Sequence, residues 1–191
     1  MRVKMVCLED GITSCGFRKM AAYVSQLTPD VQSCYISTNR FRRFGNNIRG
    51  SFGTVGMLPD EEIDNIAQYL ATSDLVGYSS MTGYSDLTKR VVTRLREINP
   101  EIIQVWGGIH PIIHPEDAIQ SDVDAICNGA ALFSLNDGRS TIDVYEGSVQ
   151  VSADGRSVSI AAGEGIDLPS PARIHPAAGR PAWLLRAGGS V

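Results

Sequence analysis

Short apolar runs of strand length alternate with helical segments along the first 130 residues of the chain. The runs are Val3–Leu8, Val31–Ile36, Asp74–Ser79, Ile102–Trp106 and Val123–Cys127. A strand that returns to the same sheet through a helix makes a right-handed crossover and lies parallel to the strand before it. The alternation therefore predicts an α/β fold, a flavodoxin-like doubly wound parallel sheet of about five strands.

The predicted helices follow from apolar spacing and from helix-start residues. Asp86–Ile98 is the clearest, with leucine, valine and isoleucine on one face and lysine, arginine and glutamate on the other. Phe17–Leu27, a helix opening at Pro59 and a short helix from Pro115 to about Gln120 complete the set. Ser37–Leu58 shows no clear period, and an interior loop of that length is usually functional or disordered.

The overall charge limits the kinds of partner. The net charge is -4 and the pI is near 5.3, which argues against a protein held on nucleic acid by its phosphates. A local basic patch is present, and we interpret it as a solvated loop rather than a phosphate site; its residues are Arg40, Arg42, Arg43 and Arg49.

The cysteines and the hydropathy of the chain indicate in which cellular compartment the protein is expected. Cys7, Cys15, Cys34 and Cys127 form no CxxC pair, so we expect reduced, mostly buried thiols. No run approaches the roughly 18 apolar residues that a membrane span needs. Met1–Leu8 is also too short and too charged for a secretory signal. We therefore expect a cytoplasmic protein without a membrane span.

Three polar loops follow predicted strands and should meet at the carboxyl edge of the sheet, where such folds bind ligands. They are Glu9–Gly16, Ser79–Ser85 and Gly107–His114. Glycine at such a position lets a ligand approach the backbone, because no Cβ intervenes. The candidate cofactor-binding residues are Asp10, Ser79, Ser80, Thr82, Gly107, Gly108 and His110.

Several chemistries are weaker alternatives. The chain has no P-loop and no GxGxxG after the first strand, while Thr13-Ser14 resembles a flavin phosphate loop only slightly. His110 and His114 are four residues apart, but Pro111 and Pro115 are expected to prevent one continuous helix from carrying both, so we assign no metal site. His110 either faces a ligand or holds its own loop.

Other polar groups at these loops also have two interpretations. Glu9 and Asp10 are either catalytic carboxylates or groups that cap their loop. Ser79, Ser80 and Thr82 either form turns with their own backbone or bind the amides of a ligand. We assign no catalytic residue.

Beyond residue 130 the composition changes: every lysine, methionine and cysteine lies before this point. Alternating apolar residues predict an antiparallel meander over Ser140–Leu168, with a hairpin turn at Asp154-Gly155 and further turns at Glu146-Gly147 and Gly163–Gly165. Pro169–Pro181 is predicted to be an irregular linker. We therefore divide the chain into residues 1–130 and a small β domain of residues 131–191.

Residues 1–129 resemble the N-terminal cobalamin-binding domain that precedes the catalytic barrel of many radical SAM enzymes. The resemblance rests on Val105–Pro111, His114–Glu116, Val123–Gly129 and Gly77–Thr82. It implies a corrinoid lying across the carboxyl ends of the strands, with the Gly107-Gly108 loop and the Ser79–Thr82 loop against it.

The chain departs from related patterns at two places. Mutase-type cobalamin domains carry Asp-x-His-x-x-Gly after the first strand, and Ile12 stands where that histidine would ligate cobalt, so we assign no lower axial ligand. The family usually continues Gly-Glu-Gly-Glu into a barrel with a Cys-x3-Cys-x2-Cys motif; this chain continues Gly129-Ala130 and lacks that motif. The resemblance thus implies a cobalamin-binding module without an iron–sulfur cluster, non-catalytic alone.

The C-terminal segment is similar to FecR-like domains over 141–151 and 158–164. Those domains are generally signalling or envelope modules outside the cytoplasm. An alternative function is therefore signalling, in which the α/β domain senses a small ligand and the β segment contacts a protein partner. The change of composition also suggests a fusion of two pieces. An FMN-binding electron carrier is the third hypothesis.

Overall fold

A parallel five-stranded sheet forms the centre of the molecule. The computed structural model describes residues 1–9, 14–38, 58–136, 139–153, 156–168 and 173–176. The strands are β1 (Val3–Cys7), β2 (Val31–Tyr35), β3 (Leu75–Ser79), β4 (Ile103–Gly107) and β5 (Ala125–Asn136). They lie parallel in the order β2-β1-β3-β4-β5, which is the flavodoxin-like order. The predicted fold class is confirmed.

Helices cover this sheet because its strands alternate apolar side chains between two faces. The helices are α1 (Cys15–Leu27), α2 (Asp60–Leu70), α3 (Ser85–Ile98), α4 (Ile109–Ile113) and α5 (Pro115–Ile119). Val6 on β1 and Leu8, directly after the strand, belong to the core shared with α2, α3 and α5. The alternate residues Val3, Met5 and Cys7 pack in the core that contains α1 residues.

Antiparallel strands extend the same sheet at its C-terminal side. They are β6 (Arg139–Ala153), β7 (Arg156–Ala161), β8 (Glu164–Leu168) and β9 (Arg173–Pro176). β6 pairs with β5 along its length, and β7 and β8 pair with β6. Ile142, Val149 and Ile160 join the α1-side core, so part of that face is covered by strands instead of a helix.

Three local predictions are wrong. Glu146-Gly147 is not a turn but lies inside β6, where Gly147 has a φ of +72° opposite Gly129 and the ladder shifts register after Ala130. Arg173–Pro176, predicted as linker, is a strand paired with β8. The loop predicted after Gly108 contains the short helix α4. In each case pairing or packing with a distant segment overrides the local turn preference.

Some predictions concern residues outside the described ranges: Asp10, the basic patch beginning at Arg40 and the turn residues Asp154-Gly155. The strands flanking that turn do pair as a hairpin. β5 runs through residue 130, and the division of the chain at this position stays a prediction. Within the described ranges, no helix combines the length and apolarity needed to span a membrane.

Candidate functional site

The ends of β1 and β3 are joined at the carboxyl edge of the sheet. The Leu8 N–H donates a hydrogen bond to the Ser79 carbonyl at 3.3 Å. Burial raises the pKa of the Glu9 carboxyl, and the hydrogen bond that it accepts from the Met81 N–H opposes this shift. Glu9 therefore links the loop after β1 to the loop after β3.

The loop after β4 packs against the loop after β3 at Gly108. Its φ is +98°, a conformation that favours glycine. A Cβ at this position would lie 3.0 Å from both the N and O atoms of Ser80 and 3.1 Å from Ser79 Oγ. The next contact along the chain is the His110 N–H, which donates to the Ser80 carbonyl at 3.3 Å. The two predicted loops thus touch through their backbones.

The Ser80 hydroxyl lies under this contact and is fully buried. It accepts a hydrogen bond from Trp106 Nε1 at 3.0 Å and is bonded to the Thr88 hydroxyl at 2.9 Å. Ser79 is also buried, whereas Thr82 is exposed at the start of a single 3₁₀ turn, Thr82–Tyr84. The Ser80 hydroxyl therefore connects its loop to β4 through Trp106 and to α3 through Thr88.

Replacing Ser80 by alanine should destabilise the fold. The substitution leaves the buried Trp106 N–H without an acceptor, which costs about 1–3 kcal/mol of unfolding free energy. Ser73→Ala is the matched control, because Ser73 is also buried but its hydroxyl donates to the Leu70 carbonyl, at 2.6 Å, and accepts from no buried side-chain N–H among the described residues. Urea denaturation measures both, and equal losses would contradict the role given to Ser80.

His110 lies in α4 and is 2% exposed. Its ring stacks on Trp106 with 5.0 Å between centroids and an interplanar angle of 27°. Nε2 is 2.9 Å from Asp117 Oδ2, and Nδ1 is buried without a hydrogen-bond partner. The Lys89 ammonium binds the other oxygen of Asp117 at 2.6 Å. The hydrogen bond from Lys89 is the largest of the causes that lower the pKa of Asp117.

Apolar side chains are exposed beside the two loops. Met81 is 37% exposed, and on α4 the exposed fractions of Ile109, Ile112 and Ile113 are 49%, 52% and 59%. Three exposed isoleucines within five residues are unusual on a protein surface unless a ligand or partner covers them. The edge therefore presents an apolar surface beside Gly108, which is half-buried against Ser80.

The sheet order and the position of this edge define a flavodoxin-like ligand-binding fold. The B12 binding domain family matches residues 52–131. Apart from 52–57, which lie outside the described ranges, the matched segment contains α2 to α5, β3, β4 and the first part of β5. The match supports a B12 binding domain, and hence a cobalamin-binding module, in this segment. No curated protein matches the chain significantly.

The structure brings Ser79, Ser80, Gly107, Gly108 and His110 together at one place, while Thr82 stands at its rim. The candidate residues predicted from the sequence did not include Trp106, Thr88 or Asp117, although Trp106 lies in the Val105–Pro111 stretch that carries the resemblance. Their contacts join residues 7 to 26 positions apart, which local patterns do not reveal. Among the described residues, no three histidine, cysteine, aspartate or glutamate side chains are grouped to hold a metal ion.

Proposed function

We propose that the chain is a corrinoid-binding module of the kind that precedes a radical SAM barrel. The observation that carries this proposal is the closure of Gly108 onto Ser79 and Ser80, inside the segment that matches the B12 binding domain. The exposed apolar surface next to that closure supports it, because a corrin macrocycle offers a broad, largely apolar face to cover it.

The residues present fit such a ligand. Gly107 is buried and Gly108 is half-buried against Ser80, while Met81, Thr82 and Ile109 are exposed around them. Ser79, Ser80 and His110 are buried and would hold these loops in place. Asp10 is proposed as a further contact from the loop after β1. A bound corrinoid would supply a cobalt centre that can carry an alkyl group.

We propose no catalytic residue in this chain; the reaction would belong to a separate iron–sulfur barrel. A cytoplasmic location is part of the proposal. The four cysteines are unpaired, and burial raises the pKa of Cys127 to about 11 and also raises that of Cys7. Unpaired cysteines are usual in a reducing compartment.

A signalling module is the second candidate. It is favoured by one observation: β5 belongs both to the parallel sheet and to the antiparallel ladder that contains the FecR-like residues. A ligand at the carboxyl edge would therefore be connected to the C-terminal strands by one continuous strand. In this alternative, those strands would contact a protein partner.

Titration with hydroxocobalamin and methylcobalamin, followed by visible absorbance and calorimetry, tests the proposal. We expect one saturable site, and no comparable binding of FMN. Ile109→Ser should weaken binding several-fold because it removes apolar contact at the site. Ile98→Ser is the control: Ile98 is 38% exposed but ends α3 at the opposite edge of the sheet. Absence of saturable corrinoid binding would reject the proposed function.

A further inference from the structure

Asp117 connects three elements without lying in either loop of the site. It is on α5, its Oδ2 atom is 2.9 Å from His110 Nε2 on α4, and its Oδ1 atom is 2.6 Å from Lys89 Nζ on α3. The Asp117 side chain is 49% exposed, whereas that of His110 is 3% exposed. A carboxylate at the surface thus makes the hydrogen bond of a buried imidazole, at Nε2, whose other ring nitrogen has no partner.

His110 also contacts the residues of the candidate site. The His110 ring stacks on Trp106, and Trp106 Nε1 donates to the hydroxyl of Ser80. The His110 backbone N–H donates to the carbonyl of the same serine. Gly108, two residues before His110, packs against the backbone of Ser80. A shift of the His110 ring would therefore move the backbone where the two loops touch.

The hydrogen bond to Asp117 also fixes the orientation of the ring. A carboxylate only accepts, so Nε2 is the donor in this contact. Nδ1 is already buried without a partner. Loss of Asp117 would leave both ring nitrogens unsatisfied in the interior, and the ring would then favour rotation towards water.

We propose that Asp117 is a positioning residue for the corrinoid site, acting through His110 and supported by Lys89. This inference rests on the proposed function, and it assigns a role to a side chain that does not itself touch the ligand. Asp117 holds α4 in the position that presents the Gly108 loop and the isoleucines.

The test compares three variants of the full chain. Asp117→Ala should weaken hydroxocobalamin binding about tenfold, the size expected for loss of one charge-assisted hydrogen bond. Asp117→Asn keeps an acceptor for Nε2 and should restore affinity to within about threefold of the wild type. Asp64→Ala is the matched control: Asp64 pairs with Arg94 at 2.7 Å and is 43% exposed, but it lies on α2. It should leave affinity unchanged.

A second readout is independent of any ligand. Hydrogen exchange of the His110 amide, which is bonded to Ser80, should be at least tenfold faster in Asp117→Ala and unchanged in Asp64→Ala. Unchanged exchange in Asp117→Ala, or equal loss of affinity in Asp64→Ala, would overturn the inference. Faster exchange together with no corrinoid binding by the wild type would reject the proposed function and still support Asp117 as the residue that positions the loops.

Discussion

Gly108→Val should abolish corrinoid binding. A valine Cβ would lie 3.0 Å from the backbone N and O of Ser80, and these atoms cannot move aside as a flexible side chain can. The φ of +98° adds strain of about 1–3 kcal/mol for a branched residue. The loops would separate, and the surface on which the ligand rests would be lost. Titration with hydroxocobalamin measures this effect.

The same geometry predicts that Gly108→Val also lowers the free energy of unfolding. From the sequence, a valine at this loop position is expected to leave the fold intact. The contact with Ser80 instead predicts a loss of about 2–4 kcal/mol in unfolding free energy. We therefore also propose Gly108→Ala, which has the same Cβ contact without the branch. It should bind corrinoid at least tenfold more weakly while remaining folded.

Gly163→Ala is the matched control for backbone strain. Gly163 has a φ of +90°, but a Cβ there would meet no atom within 4 Å. We expect it to cost about 1 kcal/mol and to leave affinity unchanged. If Gly108→Ala and Gly163→Ala have the same effect on affinity, the closure of Gly108 onto Ser80 is not part of the site.

Gly129→Ala should have the largest effect on folding. Gly129 has a φ of +135° and faces Gly147 across the β5–β6 ladder, and a Cβ would overlap the backbone oxygen of Glu146. The two strands would have to separate at this point. We expect a loss of roughly 3–5 kcal/mol in unfolding free energy, measured by urea denaturation, against about 1 kcal/mol for Gly163→Ala.

This variant also tests the division at residue 130. β6 residues Val149 and Val151 share a core with Val3 and Val105 of the parallel sheet. We therefore expect hydrogen exchange in β6 and the fluorescence of Trp106 to report one cooperative transition. Trp183→Phe in the background removes the second tryptophan signal. Unfolding of β6 with Trp106 unchanged would instead establish two separate folding units.

The periodic segments were predictable from the amino-acid sequence because their preferences are local. β1 to β4 and α1 to α3 lie within a few residues of their predicted bounds. The helical crossovers between successive strands then give a parallel sheet, and the polar loops fall at its carboxyl edge. The position of the candidate site, at Ser79–Ser80 and Gly107-Gly108, follows from this argument.

The C-terminal half of the sheet was less predictable. β5 is predicted to end at Cys127 but continues to Asn136, because β6 supplies a hydrogen-bonding partner for each added residue. Glu146-Gly147 has the composition of a turn, yet the opposing Gly129 lets the two backbones pass closely and the strand continues. Such pairing depends on residues far apart in sequence, which turn preferences do not contain.

His110 illustrates the same limit within the candidate site. Its sequence neighbours identify a histidine two residues after a glycine pair at the end of a strand, and this pattern is local. Its burial against Trp106, its bond to Asp117 and the exposure of the isoleucines around it arise when α3, α4, α5 and β4 pack together. Local periodicity thus specifies the elements and the edge where they end, whereas side-chain contacts between distant segments specify how that edge is held.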